Sequence, residues 1–326
     1  MTLTGIGGVG KTRLALGVAR DVQRAFPGGV WLVELGELRD PQLVPETILF
    51  GLGLREHSAR PPLESLVDHV GPRRLLLILD NCEHLVESAA VVVVTLLRSC
   101  GELRILATSR EPLSIDGEAV LRVPPLSAPD PADPSSLQEL TQYEAVTLLV
   151  ERARAAVPGF QLTEANQVAI ARICHRLEGL PLPIELAAAR LRVMTAEQIL
   201  QRLTDRFRLL TTGFRAAPPR QQTLRLCIDW SYELCTSQEQ GLWSRLAVFA
   251  GGFELDAAES ICSGDLSSGE LLDGIFSLVD KSILIREDAG TVVRYKILET
   301  VRDYGREKLQ ASCQYTELRR RHRDWF

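Results

Sequence analysis

The residues with the clearest chemical potential lie near the start of the sequence, in the stretch Gly5–Thr12, which reads Gly-Ile-Gly-Gly-Val-Gly-Lys-Thr. Two glycines bracket four residues and are followed by Lys11 and Thr12, which is the pattern of a phosphate-binding loop. Glycines allow the backbone to turn so that successive N–H groups converge on an anion. Lys11 supplies a point charge for the β- and γ-phosphates of a nucleotide, and the Thr12 hydroxyl is a ligand for Mg²⁺.

A helix is predicted directly after this loop, from Arg13 to Arg24, because Leu14, Leu16, Val18 and Ala19 give the segment an apolar content. The positive end of its dipole would face the bound anion. Thr2–Thr4 has the character of the end of a strand, and a strand–loop–helix is the context that the motif requires. A glycine-rich turn without a ligand is the alternative. The predicted nucleotide-binding residues of this region are Gly5, Gly7, Gly8, Val9, Gly10, Lys11, Thr12 and Arg13.

A second candidate residue, Asp80, ends the run Arg73–Asp80, which contains five consecutive aliphatic residues. Such a run is typical of a strand that is buried on both faces of a parallel sheet. The strand delivers its carboxylate to the carboxyl edge of the sheet, where ligands bind. We therefore predict that Asp80 and Thr12 hold Mg²⁺. The alternative is an aspartate that is satisfied by backbone donors at the end of a strand.

Two further residues are candidates for nucleotide hydrolysis. Arg110 ends the apolar run Leu103–Arg110, where a charge could sense a γ-phosphate, although a solvated surface arginine is the alternative. Fast ATPases of this kind carry a second acid directly after the first, and Asn81 occupies that position here. Glu83 is the tentative replacement for that catalytic base. We therefore expect slow or absent turnover.

The order of elements predicts an α/β fold in which a doubly wound, parallel-sheet P-loop NTPase domain comes first. Pro124–Ser136 has the composition of a linker, and the chain beyond it has helical periodicity. Two strand-like segments, Ile283–Glu287 and Val292–Leu298, follow a set of helices, which is the outline of a winged helix. The predicted domains are 1–126 (nucleotide-binding), 137–215 (helical), 219–311 (winged helix) and 312–326 (the start of a further helical region).

Composition places the chain among ordinary soluble globular proteins. Its 326 residues carry a net charge of −5, which argues against a dominant nucleic-acid surface. Its seven cysteines include no Cys-x-x-Cys pair, which suits reduced thiols in a cytoplasmic protein. No apolar run is long enough for a membrane span. We expect both ends to be cuts within a longer protein.

Several motifs together carry a resemblance to a known family. They are Gly5–Thr12, Leu76–His84, Ala107–Glu111, Gly179–Leu182, Leu278–Ser282 and Ile297–Tyr304. In this order they resemble NB-ARC-type STAND ATPases, and in particular the ATPase regions of bacterial LuxR-type and AfsR-like transcriptional regulators of actinobacteria. The resemblance implies a three-part switch in which ADP is clamped between the domains, and in which exchange for ATP opens the arrangement.

The resemblance also implies roles for individual residues. Lys11 and Thr12 would bind phosphate and metal, Asp80 would be the Walker B acid, and Arg110 the first sensor. Pro181 would pack on adenine, although a proline that starts a helix after a glycine turn is an equally simple interpretation. The family places a histidine against the ADP phosphate, whereas Leu298 stands here. The family segment that covers the adenine would precede this sequence, so weaker nucleotide affinity is expected.

The leading hypothesis is therefore a regulatory switch that binds ATP or ADP with Mg²⁺. The expected partners are the nucleotide and a second copy bound through the nucleotide-binding domain, with DNA bound through segments outside this sequence and no membrane. Two alternatives remain: a regulator whose winged helix itself binds DNA, and a degenerate scaffold that no longer binds nucleotide. The basic run Arg319–Arg323 is the main feature that favours direct DNA binding.

Overall fold

The structure, a computed structural model, describes residues 1–54, 60–130, 136–203, 224–289, 292–312 and 314–325. The chain divides into two compact units: the first contains Met1–Ile6 and Gly10–Val123, and the second contains Gly7–Val9 and Pro124–Phe326. The predicted division of the second unit into helical and winged-helix domains stays a prediction, because its boundary falls outside the described residues. Within the described part of the chain, no helix is both long and apolar enough to cross a membrane.

The first unit is built on a five-stranded parallel sheet with the order β2-β3-β4-β1-β5. Its strands are β1 (Thr2–Thr4), β2 (Val30–Glu34), β3 (Leu76–Asp80), β4 (Arg104–Thr108) and β5 (Val120–Arg122). Because all strands run the same way, their carboxyl ends lie at one edge. The loop that follows β1 therefore leaves the sheet at the same edge as the residues that follow β3 and β4.

Helices cover both faces of this sheet. They are α1 (Lys11–Val22), α2 (Val44–Gly51), α3 (Pro62–Val70) and α4 (Val86–Ser99). Alternate residues of β3 face two different cores: Leu77 and Leu79 pack with α2, α3 and α4, whereas Leu76 and Ile78 pack with Ala15 of α1. All five residues of β3 are buried. The predicted doubly wound α/β fold is confirmed.

The second unit is almost wholly helical up to its final third. Its elements are α5 (Leu137–Leu140), α6 (Glu144–Ala156), α7 (Gln167–Arg176), α8 (Pro181–Arg190), α9 (Ala196–Arg202), α10 (Leu224–Glu233), α11 (Ser237–Leu246), α12 (Leu255–Cys262), α13 (Ser268–Asp280), β6 (Leu284–Ala289), β7 (Val292–Ile297), α14 (Glu299–Gln310) and α15 (Tyr315–Trp325). Capping boxes begin α5, α9, α11 and α13, and Thr195 and Gln198 form the one that begins α9.

The winged helix is organised around a β-hairpin and a buried tryptophan. Strands β6 and β7 pair antiparallel, and Phe253 bridges to Tyr295 of β7. Trp243 is fully buried on α11, and its indole N–H donates to the Val301 carbonyl of α14 at 3.1 Å. A buried indole needs such an acceptor, so this bond fixes α14 against α11. The predicted winged helix after a set of helices is confirmed.

The turn before helix α8 is tightly constrained. Gly179 has φ +67°, and its carbonyl accepts a hydrogen bond from the Leu126 amide at 2.9 Å. Pro181 is the first residue of α8, a position that favours proline because its missing N–H is not needed there. Glu178 also has a positive φ of 53°, and its carboxylate accepts a hydrogen bond from the Thr300 amide at 3.3 Å, at the start of α14.

This turn gives a matched stability test. A Cβ at position 179 would lie 1.9 Å from the Leu126 carbonyl oxygen, whereas a Cβ at Gly159, with φ +83°, would meet nothing within 4 Å. Both Gly→Ala changes carry similar left-handed backbone strain. We expect Gly179→Ala to lower the free energy of unfolding by at least ~2 kcal/mol more than Gly159→Ala, because only the first forces backbone atoms apart. Urea denaturation measures both, and equal losses would contradict this account of the turn.

Candidate functional site

The Asp80 carboxylate lies at the carboxyl edge of the sheet and is only 1% exposed. Its Oδ1 accepts hydrogen bonds from the hydroxyls of Thr12 at 2.7 Å and Thr108 at 2.5 Å. Its Oδ2 accepts a bond from the side-chain amide of Asn81 at 2.8 Å. Burial raises the pKa of this carboxyl group, and the two threonine hydroxyls partly oppose the shift by hydrogen-bonding the charged form. The three donors therefore hold an anion that burial alone would disfavour.

Lys11 is held by its own loop. The side chain is buried, and Nζ donates to the carbonyls of Gly5 at 2.7 Å and Ile6 at 3.3 Å. Gly10 precedes α1 with φ +100°, and no side chain caps the first N–H groups of the helix. A helix start without a capping side chain is a ready site for an anion. The Lys11 side chain and the start of α1 thus belong to the same turn of the chain, directly after the glycine-rich loop.

Thr108 is a site residue that the sequence analysis assigned no role. Its hydroxyl donates a hydrogen bond to the Asp80 carboxylate and accepts one from the backbone N–H of Asn81 at 3.0 Å. Asn81 adopts the left-handed conformation, with φ 62° and ψ 54°. A polar residue at the end of a strand next to β3 was the available signal. It could not be used without knowing that β4 is the neighbour of β3.

The predicted sensor and the predicted base lie together. The Arg110 Nε donates to the Glu83 Oε1 at 3.4 Å, and the side chains are only 7% and 4% exposed. The attraction within this buried pair offsets part of the cost of removing both charges from water. Glu83 is therefore engaged by a guanidinium group in this structure.

The remaining predicted residues lie in several places. Arg13 is exposed on α1. Gly7–Val9 belong to the second unit, where the Gly8 carbonyl accepts a bond from the Leu182 amide at 3.2 Å. Pro181 is the first residue of α8 and precedes Leu182, so the interpretation of this proline as a residue that starts a helix is correct. Its contact with adenine stays a prediction. Leu298 is buried directly before α14.

The donor set around Asp80 fits Mg²⁺. Hydroxyl and carboxylate oxygens are the hard ligands that this ion prefers, and it commonly uses one or two carboxylates together with waters and substrate phosphates. Among the described residues, no group of three or more His, Cys, Asp or Glu side chains could hold a metal ion alone. Thr12 and Asp80 are thus suited to a magnesium ion that a phosphate group helps to bind.

Comparison with solved structures defines the class of fold. The chain superimposes on the ORC2 protein of Aeropyrum pernix, described in ADPNP–ADP complexes, with a TM-score of 0.54 over 95% of this chain and 88% of that chain, at 14% identity. At that identity the likeness shows the fold alone: a parallel α/β sheet, a helical region and a winged helix. Residues 236–310 also match the family described as a winged helix-turn-helix domain.

Sequence relatives define the family. The chain is 38% identical over 325 residues to "Uncharacterized protein Rv0894" of Mycobacterium tuberculosis, covering 99% of this chain and 79% of the relative. It is 44% identical over 327 residues to "Putative HTH-type transcriptional regulator Rv0890c" of the same organism, covering 100% of this chain and 35% of the relative. The chain belongs to the family of these mycobacterial proteins, and it spans about a third of the length of the regulator Rv0890c.

The predicted relation to AfsR-like regulators is confirmed at the level of homology. The regulatory protein AfsR of Streptomyces coelicolor is 28% identical over 321 residues, which cover 93% of this chain and 29% of that protein.

The buried carboxylate predicts an unusual stability change. We expect Asp80→Asn to raise the thermal midpoint of the ligand-free chain. The new amide oxygen can still accept hydrogen bonds from Thr12 and Thr108. The side-chain amide of Asn81 can rotate so that its oxygen accepts a hydrogen bond from the new amide nitrogen. The folded-state pKa of Asp80 lies above its ordinary value of 3.8. The charged form therefore costs stability above that pH, and the cost grows until the pH passes the folded-state pKa.

The gain should be about 2–4 °C for each kcal/mol relieved, and it should be larger at pH 7.5 than at about pH 3, below the ordinary pKa of 3.8. Differential scanning calorimetry measures it. Asp273→Asn, on the exposed side of α13, is the matched control and should change the midpoint little at either pH. A lower midpoint for Asp80→Asn at pH 7.5 would mean that the hydrogen bonds outweigh the cost of burial.

Proposed function

We propose that this chain is the nucleotide-binding region of a transcriptional regulator, a STAND-type module of the LuxR-related kind that binds ATP and ADP with Mg²⁺. It acts as a switch and hydrolyses ATP slowly or not at all. The observation that carries the proposal is the convergence of Thr12 and Thr108 on one oxygen of Asp80 beside the buried Lys11. The homology to transcriptional regulators supports the second half of the proposal.

The chain's own residues divide the work of binding. Lys11 exchanges the Gly5 and Ile6 carbonyls for phosphate oxygens, and the backbone N–H groups at the start of α1 bind the same phosphates. Thr12 turns its hydroxyl proton away from Asp80, so that both side chains present oxygen lone pairs. Magnesium, when bound there, neutralises phosphate charge and orients the phosphates. Arg13 lies at the solvent side of the same helix turn, and Pro181 offers an apolar ring to the base.

Slow hydrolysis follows from two features. Asn81 stands where fast ATPases carry a second carboxylate, and a neutral side-chain amide is not a general base. Glu83 is the nearest candidate, but it is paired with Arg110. The Glu83 carboxylate must lose its ion pair with Arg110 before it can accept a proton from water. A γ-phosphate that attracts Arg110 would release Glu83, which links sensing to the base.

The proposed switch is a change in the arrangement of three domains. Nucleotide exchange would alter the arrangement of a nucleotide-binding domain (1–126), a helical domain (137–215) and a winged-helix domain (219–311). Self-association through the nucleotide-binding domain is the proposed output. Since Leu298 replaces the family histidine, ADP would be held less firmly than in the family pattern.

Direct binding measurements test the central claim. We expect Lys11→Ala to weaken ATP and ADP binding in the presence of Mg²⁺ at least about ten-fold, because a charge-assisted hydrogen bond is worth roughly 1.5–3 kcal/mol. Isothermal titration calorimetry on the whole chain measures both nucleotides. Lys296→Ala removes the same charge from an exposed position on β7. This variant should bind both nucleotides like the wild type.

Equal binding by wild type and Lys11→Ala would contradict the proposed site. Wild-type protein that binds neither nucleotide would favour the degenerate scaffold. Circular dichroism spectra of each variant show whether the fold is kept, so that a loss of binding is not mistaken for unfolding.

Direct DNA binding is the second candidate function, and the match of residues 236–310 to a winged helix-turn-helix domain favours it. If it is correct, the whole chain should retard a 20-base-pair duplex in a native gel, and the affinity should fall steeply as salt rises, because cationic side chains displace counterions from phosphates. No retardation at low salt would argue that DNA binding belongs to other parts of the regulators.

A further inference from the structure

A cavity of about 610 Å³ in the second unit is lined by thirteen residues, of which five are arginines. It lies between α14, α15 and the segment Ala247–Ala250. Of the described residues that line it, none is acidic. The cationic ones are Arg302, Arg306, Arg319, Arg320 and Arg323, and His322 lies among them. Because the whole chain carries a net charge of −5, this concentration of positive charge is a local feature.

The floor of the cavity is apolar. Phe249 and Leu309 are 3% and 1% exposed, so they belong to the core and present a fixed surface. His322 is half-buried, and its ring meets the Phe249 ring edge-on at 5.4 Å between centroids. Arg302 donates a hydrogen bond to the Ala250 carbonyl, which fixes one wall. A concave apolar site with a few convergent polar groups is the usual form of a small-molecule site.

Two of the arginines are not engaged by carboxylates. Arg306 and Arg319 both hydrogen-bond the Tyr315 side chain, and the Arg319 guanidinium lies 5.7 Å from the centre of that ring. Within the described residues, neither arginine forms an ion pair. Hydrogen bonds from Gln310 and Arg306 lower the pKa of the Tyr315 hydroxyl. Burial, and then the charge of Arg319, lower the pKa of His322. The charge of Arg319 contributes to both shifts, after hydrogen bonds at Tyr315 and after burial at His322.

The other arginines of the rim are weakly held. Arg320 pairs with Glu317 and Arg323 with Asp324, each at 2.9 Å, and all four side chains are largely exposed. Ion pairs in water contribute little, so these guanidinium groups can turn towards a new anion at small cost.

We propose that this cavity binds a small phosphorylated organic molecule. Its phosphate groups would lie on Arg306 and Arg319, and its apolar part would lie on Phe249 and Leu309. Guanidinium groups match phosphate geometry in a bidentate manner. The volume falls within the roughly 300–1,000 Å³ that is usual for ligand pockets. A half-enclosed cavity with an apolar floor suits a discrete ligand better than a duplex, which presents its phosphates along a convex surface. The site is separate from the loop that carries Lys11.

Calorimetry with inorganic tripolyphosphate tests the proposal. The titration uses the whole chain carrying Lys11→Ala, so that the phosphate-binding loop contributes little. We expect one binding site per chain. Adding Arg306→Ala or Arg319→Ala should weaken binding at least about ten-fold, because each removes a charge-assisted hydrogen bond. Arg321→Ala is the matched control: Arg321 lies on the same helix α15 and pairs with Glu317, but it does not line the cavity. It should change binding less than about two-fold, as expected for an exposed pair.

A second titration tests the apolar floor. Phenyl phosphate and inorganic phosphate carry similar charge. We expect phenyl phosphate to bind more tightly than inorganic phosphate, because its ring would contact Phe249 and Leu309. If an alanine variant fails to fold, Arg306→Gln or Arg319→Gln is used in its place, since glutamine keeps part of the side-chain stem and removes the charge. The absence of tripolyphosphate binding, or equal loss in Arg321→Ala, overturns the proposal. A 20-base-pair duplex that binds with the same arginine dependence, while tripolyphosphate does not, overturns it in favour of a nucleic-acid surface.

Discussion

One buried carboxylate connects the elements of the candidate site. Asp80 ends the fully buried strand β3, and its two oxygens are held by side chains from α1, from β4 and from the residue after β3 itself. An ionised group at this depth is tolerated only with such partners. The position of helix α1 relative to the sheet is therefore coupled to the hydrogen bonds of a single anion. Any ligand that competes with Thr12 for the Asp80 carboxylate therefore changes a hydrogen bond that holds the first turn of α1.

Much of this arrangement could be predicted from the sequence, because it depends on local patterns. The aliphatic run that ends at Asp80 had to be a strand buried on both faces, and the structure assigns its alternate residues to two cores. A proline after a glycine turn favours the start of a helix, and α8 begins at Pro181. The spacing of Lys11 and Thr12 in the loop required a strand before it and a helix after it. In each case, a few neighbouring residues contain the whole physical argument.

What could not be predicted depends on which elements are neighbours in space. Thr108 contributes to the site only because β4 lies beside β3, and the order β2-β3-β4-β1-β5 is not written in any one segment. The pairing of Arg110 with Glu83 has the same origin. On α1, Ala15 packs against the sheet, whereas Leu14, Leu16 and Val18 are exposed. The apolar content predicted a helix but not the face that it buries.

The turn at Glu178 has a mechanical consequence. Its carboxylate holds the first turn of α14, while the three residues that follow it lead directly into α8. The backbone there has little slack, because Gly179 is fixed against the Leu126 backbone. A displacement of the start of α8 that moves Glu178 would therefore stretch or break its hydrogen bond to the first turn of α14.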